Sequence, residues 1–212
     1  MEVVRVADGL WRWTAYYEEW RHDVGCVYYE APGAIVLIDP LVPSDAVEAA
    51  RFWEALDRDV KRANVAVHVL VTVFWHVRSS AEVVHRYGGR LHVARRACAA
   101  IERRTDAVTD VFWPGEPLPG GIVALESGRA TEVVYWIPEH RAFVPGDVIL
   151  GADDGGLRLC PQSWLPAGVD HARLRAALRP LLDLPVERVL VSHGDPVTKA
   201  ARTRLAAALA EE

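Results

Sequence analysis

Residues 69–84, VLVTVFWHVRSSAEVV, join a strand directly to a helix, and this joint decides the fold that we expect. The first half continues the β-branched run VAVHVLVTV, which is typical of a strand covered on both faces. The second half begins SSAEVVHRYGG, with a serine cap, a glutamate in the first turn and two glycines as a stop. Reactive side chains often follow such a strand, so residues 74–78 are the first candidates for a functional site.

The rest of the chain repeats this order of elements around the joint. Short strands fill residues 3–38, and residues 44–62 have helical spacing after Ser44 or Asp45 as the cap. A second group of strands covers residues 120–150, followed by a helix at 170–184, a strand at 186–194 and a closing helix at 198–212. Strands followed by strand-helix units, twice over, predict an α/β sandwich of two sheets with helices on the outer faces.

Composition narrows the class of protein. The 212 residues are 51% hydrophobic, which is enough for one domain spanning residues 1–212. A net charge of −5 gives no reason to expect nucleic acid or an anionic membrane as a partner. The cysteines Cys26, Cys98 and Cys160 lack metal or disulfide spacing, which indicates a reducing cytoplasm. No apolar run approaches the ~18 residues that a membrane span needs.

Four strand ends in this sequence, VLIDP, VLVT, VPGDVIL and VLVSHGDPVT, resemble those of the metallo-β-lactamase superfamily. The likeness runs from about residue 4 to the closing helix. Asp39 matches the family's acidic strand end, Thr72 the residue before its H-x-H-x-D-H motif, Asp147 its bridging aspartate and His193 its last ligand. The resemblance implies a four-layer αβ/βα sandwich that holds one or two metal ions at the sheet edge.

The same resemblance implies a degenerate metal site. The four ligand positions of the motif fall on residues that cannot bind zinc or iron: Val73, Trp75, Val77 and Arg78. Arg129, after Gly128, stands where the family has its middle histidine. Only Asp147 and His193 remain, and two protein ligands do not hold a catalytic zinc tightly. We therefore expect a metal-independent protein without a cofactor.

Two arrangements of this site follow. In the first, Arg78 and Arg129 pair with Asp147, so that guanidinium charge replaces metal charge. In the second, a register shift turns His76 inward, and His76, Asp147 and His193 form a two-histidine, one-carboxylate set for one zinc or iron ion.

Three functions are compatible with these residues. The preferred one is a metal-independent protein that binds an anionic small molecule, or a non-hydrolytic enzyme, with Trp75, His76, Arg78, Arg129 and Trp164 as the binding residues. The second is a hydrolase rebuilt around one metal, or around a metal-free acid-base pair of His193 and Asp147. Its nucleophile would be Ser79, Ser192 or Cys160. The third is a non-catalytic scaffold, a pseudoenzyme.

Two other histidines are interpreted as structural. His22, beside Asp23, is expected in an exposed turn, and His68 is expected to be a satisfied core residue because it lies within an apolar strand.

Overall fold

The computed structural model describes residues 1–210. Its larger sheet has seven strands in sequence order, antiparallel from the first to the fourth and parallel from the fourth to the seventh. They are β1 (Glu2–Ala7), β2 (Leu10–Tyr17), β3 (His22–Ala31), β4 (Ala34–Ile38), β5 (Ala66–Leu70), β6 (Arg90–Ala94) and β7 (Val108–Phe112). The carboxyl ends of β4, β5 and β6 therefore meet at one edge of this sheet.

The second half of the chain builds a smaller sheet and a ribbon. The smaller sheet has the order β13, β10, β9, β8, and β11 pairs with β12 in the ribbon. These strands are β8 (Val123–Glu126), β9 (Val133–Ile137), β10 (Ala142–Val144), β11 (Ile149–Gly151), β12 (Leu157–Leu159) and β13 (Arg188–Val189). The parallel contact between β10 and β13 brings the turn after β10 and the loop after β13 to the same side.

Within residues 1–210, five α-helices cover the sheets. They are α1 (Ala46–Ala63), α2 (Ser80–Tyr87), α3 (Cys98–Glu102), α4 (His171–Leu178) and α5 (Ala201–Ala208). Asp45 caps α1, since its carboxylate accepts hydrogen bonds from the backbone N–H groups of Val47 and Glu48. Within residues 1–210, no helix is both long enough and apolar enough to cross a membrane.

Strand β9 shows why the layers stack as a sandwich. Val133, Tyr135 and Ile137 pack in a core with the larger sheet and α1 to α3, whereas Val134 and Trp136 pack in a second core with α4 and α5. Successive side chains of a strand point to opposite faces, so one buried strand serves two cores. The predicted four-layer αβ/βα sandwich is confirmed.

Several elements differ from the sequence expectation in extent. Strands β7 and β12 were not predicted, because neither has a long apolar alternation. The strand expected at residues 186–194 is only two residues long, and its remainder is the loop that carries His193. The last two residues of the predicted closing helix, 211 and 212, lie outside the described residues.

Candidate metal centre

Three side chains converge at the sheet edge from three separate connections. His76 lies in a 3-10 helix, Phe74–Val77, that follows β5. Asp147 lies in the turn between β10 and β11, and His193 lies in the loop after β13. An extended backbone at residues 74–77 would alternate the directions of neighbouring side chains. The chain forms a tight 3-10 turn there instead, and this turn points His76 inward.

The distances among these three side chains fit a bound metal ion. Nε2 of His76 and Nε2 of His193 each lie 3.3 Å from Oδ1 of Asp147. These three atoms are buried and have no hydrogen-bond partner among the described residues. Two ligands placed 2.0–2.1 Å from a tetrahedral zinc ion are separated by about 3.3 Å. The atoms therefore face a common point, and within residues 1–210 they are the one group of three such ligand atoms.

His76 is oriented by a buried carboxylate. Its Nδ1 lies 2.9 Å from Oδ2 of Asp39, which also accepts the Thr72 hydroxyl at 2.5 Å, while Oδ1 of Asp39 accepts the Thr72 N–H at 2.8 Å. A carboxylate only accepts, so the hydrogen of a neutral His76 lies on Nδ1 and the lone pair on Nε2 faces the centre. Burial and Arg78 lower the pKa of His76, but Asp147 and Asp39 outweigh them and raise it.

Asp147 is fixed at its backbone and at one carboxylate oxygen. Its N–H donates to Oε1 of Glu132 at 2.6 Å, and its Oδ2 accepts from the indole Nε1 of Trp75 at 2.7 Å. Burial alone would raise the pKa of Asp147, yet His76 and His193 hold it well below its usual range. The carboxylate is thus ionised, with Oδ1 left for the centre.

The loop of His193 is held by three consecutive carbonyl groups, residues 192–194. They accept, in order, from the N–H of Gly25 at 2.7 Å, the N–H of Gly151 at 2.8 Å and Nη2 of Arg12 at 2.7 Å. Since these donors come from β3, β11 and β2, the position of His193 depends on both halves of the chain.

Aromatic side chains surround the centre on its open side. The ring of Trp20 lies 5.8 Å from that of His76 and 6.2 Å from that of His193. The rings of Trp164 and His22 lie 5.9 Å and 5.4 Å from that of His193. His22 lies in β3 rather than in a turn, and no local sequence signal indicates that this residue borders the site.

The arginines do not occupy the predicted positions. Nη1 of Arg129 lies 2.7 Å from Oε2 of Glu132, and Nη1 of Arg78 donates to the carbonyl of Asp39 at 3.2 Å. Among the described residues, neither forms an ion pair with Asp147, so the predicted guanidinium pairing was wrong. The physical reason is that Glu132, three residues after Arg129, offers a nearer buried carboxylate, while the indole of Trp75 takes the free oxygen of Asp147.

Only some of the predicted binding residues therefore lie together at the site. Trp75 contacts Asp147 and lines the site, and Trp164 borders His193 with its carbonyl accepting Nη2 of Arg129 at 2.9 Å. Arg78 lies behind His76, with its guanidinium 5.7 Å from the ring of Trp20. Asp39, Glu132, Trp20 and Arg12 are further components that sequence reasoning did not assign to the site.

The alternative nucleophiles are not prepared for reaction. Burial raises the pKa of the Cys160 thiol to about 11. The hydroxyl of Ser79 accepts the N–H of Val42 at 3.1 Å, and Ser192 is buried behind His193. His68 is satisfied, as expected, by His92 at 2.9 Å.

Comparisons with known proteins agree with this architecture. No family model and no curated protein matches the chain. A metallo-β-lactamase from Pontibacter korlensis superposes with a TM-score of 0.71 at 18% identity, covering 98% of each chain. One from Hirschia baltica gives 0.69 at 15%, covering 100% of this chain and 98% of the other. FIM-1 from Pseudomonas aeruginosa, in a mono-zinc form, gives 0.70 at 13%, covering 98% and 94%.

The chain therefore has the metallo-β-lactamase fold over its full length, and the fold implied by its strand ends is confirmed. A shared fold at these identities does not transfer a reaction or a substrate.

Proposed function

We propose that this protein is a hydrolase built on a single zinc ion, held by His76, Asp147 and His193. The observation that carries the proposal is the convergence of three buried ligand atoms that have no hydrogen-bond partner among the described residues, with both histidine nitrogens 3.3 Å from one aspartate oxygen. Two histidines and one carboxylate are a donor set of catalytic zinc sites, which keep a further position open. Zinc at such a site supplies a Lewis acid and activates water near neutral pH.

The protein's own residues prepare this site. Asp39 keeps a hydrogen on Nδ1 of His76, and Trp75 occupies Oδ2 of Asp147, so each contributes one defined ligand atom. Trp20 and Trp164 flank His193 and reduce the contact of the centre with bulk water. The support is geometric, and the expected substrate is a small molecule that fits between these indoles.

Metal analysis of protein purified without added metal tests the proposal. We expect about one zinc per chain. His76→Ala and His193→Ala should each lose it, whereas His85→Ala, which removes an exposed histidine on α2, should retain it. Wild-type protein that holds no more zinc after incubation and dialysis than His76→Ala protein would overturn the proposal.

A second candidate is the function preferred from the sequence, which is metal-free binding of an anionic small molecule. Arg78 supports it. Its Nε and Nη2 are buried and have no hydrogen-bond partner among the described residues. The same two atoms bind carboxylates at Arg86 with Asp57 and at Arg90 with Asp110. Thermal shifts with carboxylate compounds in the presence of a chelator, lost in Arg78→Gln, would favour this function; no shift would exclude it.

A cytoplasmic location is part of the proposal. Its support is the set of three cysteines, all buried and unbridged. Fractionation of the source cells tests it, and recovery of the protein outside the cytoplasm would contradict it.

A further inference from the structure

Arg129 and Glu132 form an ion pair that is buried beside the candidate metal centre. Their side chains are 7% and 0% exposed, and Nη1 of Arg129 lies 2.7 Å from Oε2 of Glu132. Taking both charges out of water is costly, and a buried pair of this kind is often no more stable than apolar residues of similar size. Stability alone therefore does not explain the pair.

The other oxygen of Glu132 holds the backbone of a metal ligand. Oε1 accepts the N–H of Asp147 at 2.6 Å and the N–H of Val148 at 3.0 Å. Glu132 thus uses one oxygen for Arg129 and one for the turn that carries Asp147. Fixing two successive N–H groups fixes the orientation of the peptide between them, and with it the direction of the Asp147 side chain.

Arg129 also reaches Asp147 by a second route. Its guanidinium lies 4.9 Å from the centre of the Trp75 ring, and Nε1 of Trp75 donates to Oδ2 of Asp147 at 2.7 Å. The contacts therefore close a ring that runs through Glu132, Asp147, Trp75 and Arg129. Oδ1 of Asp147 has no hydrogen-bond partner among residues 1–210, and it faces both histidines.

We propose that Glu132, held by Arg129, is a positioning residue that presents Asp147 to the metal through one oxygen, Oδ1. This inference rests on the proposed zinc site and deepens it. A carboxylate that binds through one oxygen leaves more of the coordination sphere open to substrate than one that binds through two.

The variant Glu132→Gln tests this role. Its amide oxygen can still accept both backbone N–H groups, but its NH2 group replaces the oxygen that faces Arg129, so the ionic contact is lost and two donors oppose each other. We expect the zinc dissociation constant to rise about 10- to 100-fold, as for other residues that hold a ligand in place. In the metal-free protein, hydrogen exchange of the Asp147 and Val148 amides should accelerate about tenfold.

Two further variants separate positioning from folding. Glu30→Gln is the matched control, since Glu30 also pairs with an arginine, Arg62, but lies opposite Ile35 at the end of β4 away from Asp39. It should leave zinc affinity unchanged. The double variant Arg129→Met with Glu132→Gln removes both charges and should fold normally. Its zinc affinity should nevertheless stay at least about tenfold reduced.

The outcomes distinguish this inference from the function on which it rests. Folded Glu132→Gln protein with unchanged zinc affinity and unchanged exchange of the two amides would overturn the positioning role. Wild-type protein that binds no zinc, together with faster exchange in the variant, would overturn the metal function and support the positioning of Asp147.

Discussion

The two halves of the molecule hold their metal-facing side chains by different means. In the first half, the carboxylate of Asp39 contacts the imidazole of His76 directly. In the second half, the carboxylate of Glu132 contacts the backbone of Asp147, and Arg129 supplies its counter-charge. Asp39 thus sets which nitrogen of His76 carries hydrogen, whereas Glu132 sets where Asp147 points. The first half of the chain therefore controls the tautomer of one metal-facing side chain, and the second half controls the orientation of another.

The largest expected effect comes from Asp39→Asn. An asparagine would keep the contact with the Thr72 N–H by its oxygen and turn its NH2 group toward the Thr72 hydroxyl and Nδ1 of His76. His76 would then carry its hydrogen on Nε2, which blocks metal binding at that atom. We expect zinc affinity to fall by about 100-fold. Isothermal titration of the metal-free protein measures this, and a loss below about threefold would refute the tautomer argument.

The variant Gly146→Ala tests the second half of the molecule through the carboxylate of Glu132. Gly146 has a φ of +61°, and an added Cβ would lie 2.6 Å from Oε1 of Glu132. We expect a loss of about 2 kcal/mol in the free energy of unfolding, from backbone strain and the clash. In a urea titration, part of this loss should disappear when Glu132 is replaced by alanine, because the clash is then removed. Strictly additive losses would show that Glu132 does not crowd this turn.

The smallest expected effect concerns acid stability and lies outside the site. Burial lowers the pKa of His92 from 6.5 to about 4, and His68 and Arg90 add to this while Asp110 opposes it. Between these pH values the unfolded chain binds more protons than the folded one, so stability falls as pH falls. His92 should account for about 1 kcal/mol of the loss between pH 7 and 5.5.

His92→Asn removes this proton-binding difference, so its stability should fall less steeply with acid than that of the wild type. Urea midpoints at the two pH values measure the slopes. Parallel slopes in variant and wild type would place the acid sensitivity at other histidines whose pKa burial lowers, His68 and His140.

The sequence predicted the fold well because its strand ends are local signals. VLIDP, VPGDVIL and VSHG mark where buried strands stop, and each indeed carries a side chain of the site. The position of His76 was only an alternative, because a single 3-10 turn decides whether residues 74–77 continue the strand, and no residue type fixes that turn.

Glu132 was missed for a related reason. It stands just before the buried run VVYWI, where a charged residue usually marks the exposed start of a strand. Its burial depends on Arg129, which lies three residues earlier in the sequence. The guanidinium of Arg129 packs against the ring of Trp75 in the folded protein. The contact between Arg129 and Trp75 joins distant segments, so it has no signature in the local sequence.

The hydrogen bonds to carbonyls 192–194 link the site to the cooperativity of the whole protein. Their donors belong to the larger sheet and the ribbon, so the loop cannot open without breaking hydrogen bonds to both. Anything that binds His193 in the folded state is therefore thermodynamically linked to global unfolding rather than to a local opening. A ligand bound at this centre would stabilise the contact between the two halves of the chain. Mutations that weaken that contact should therefore lower the affinity for the ligand.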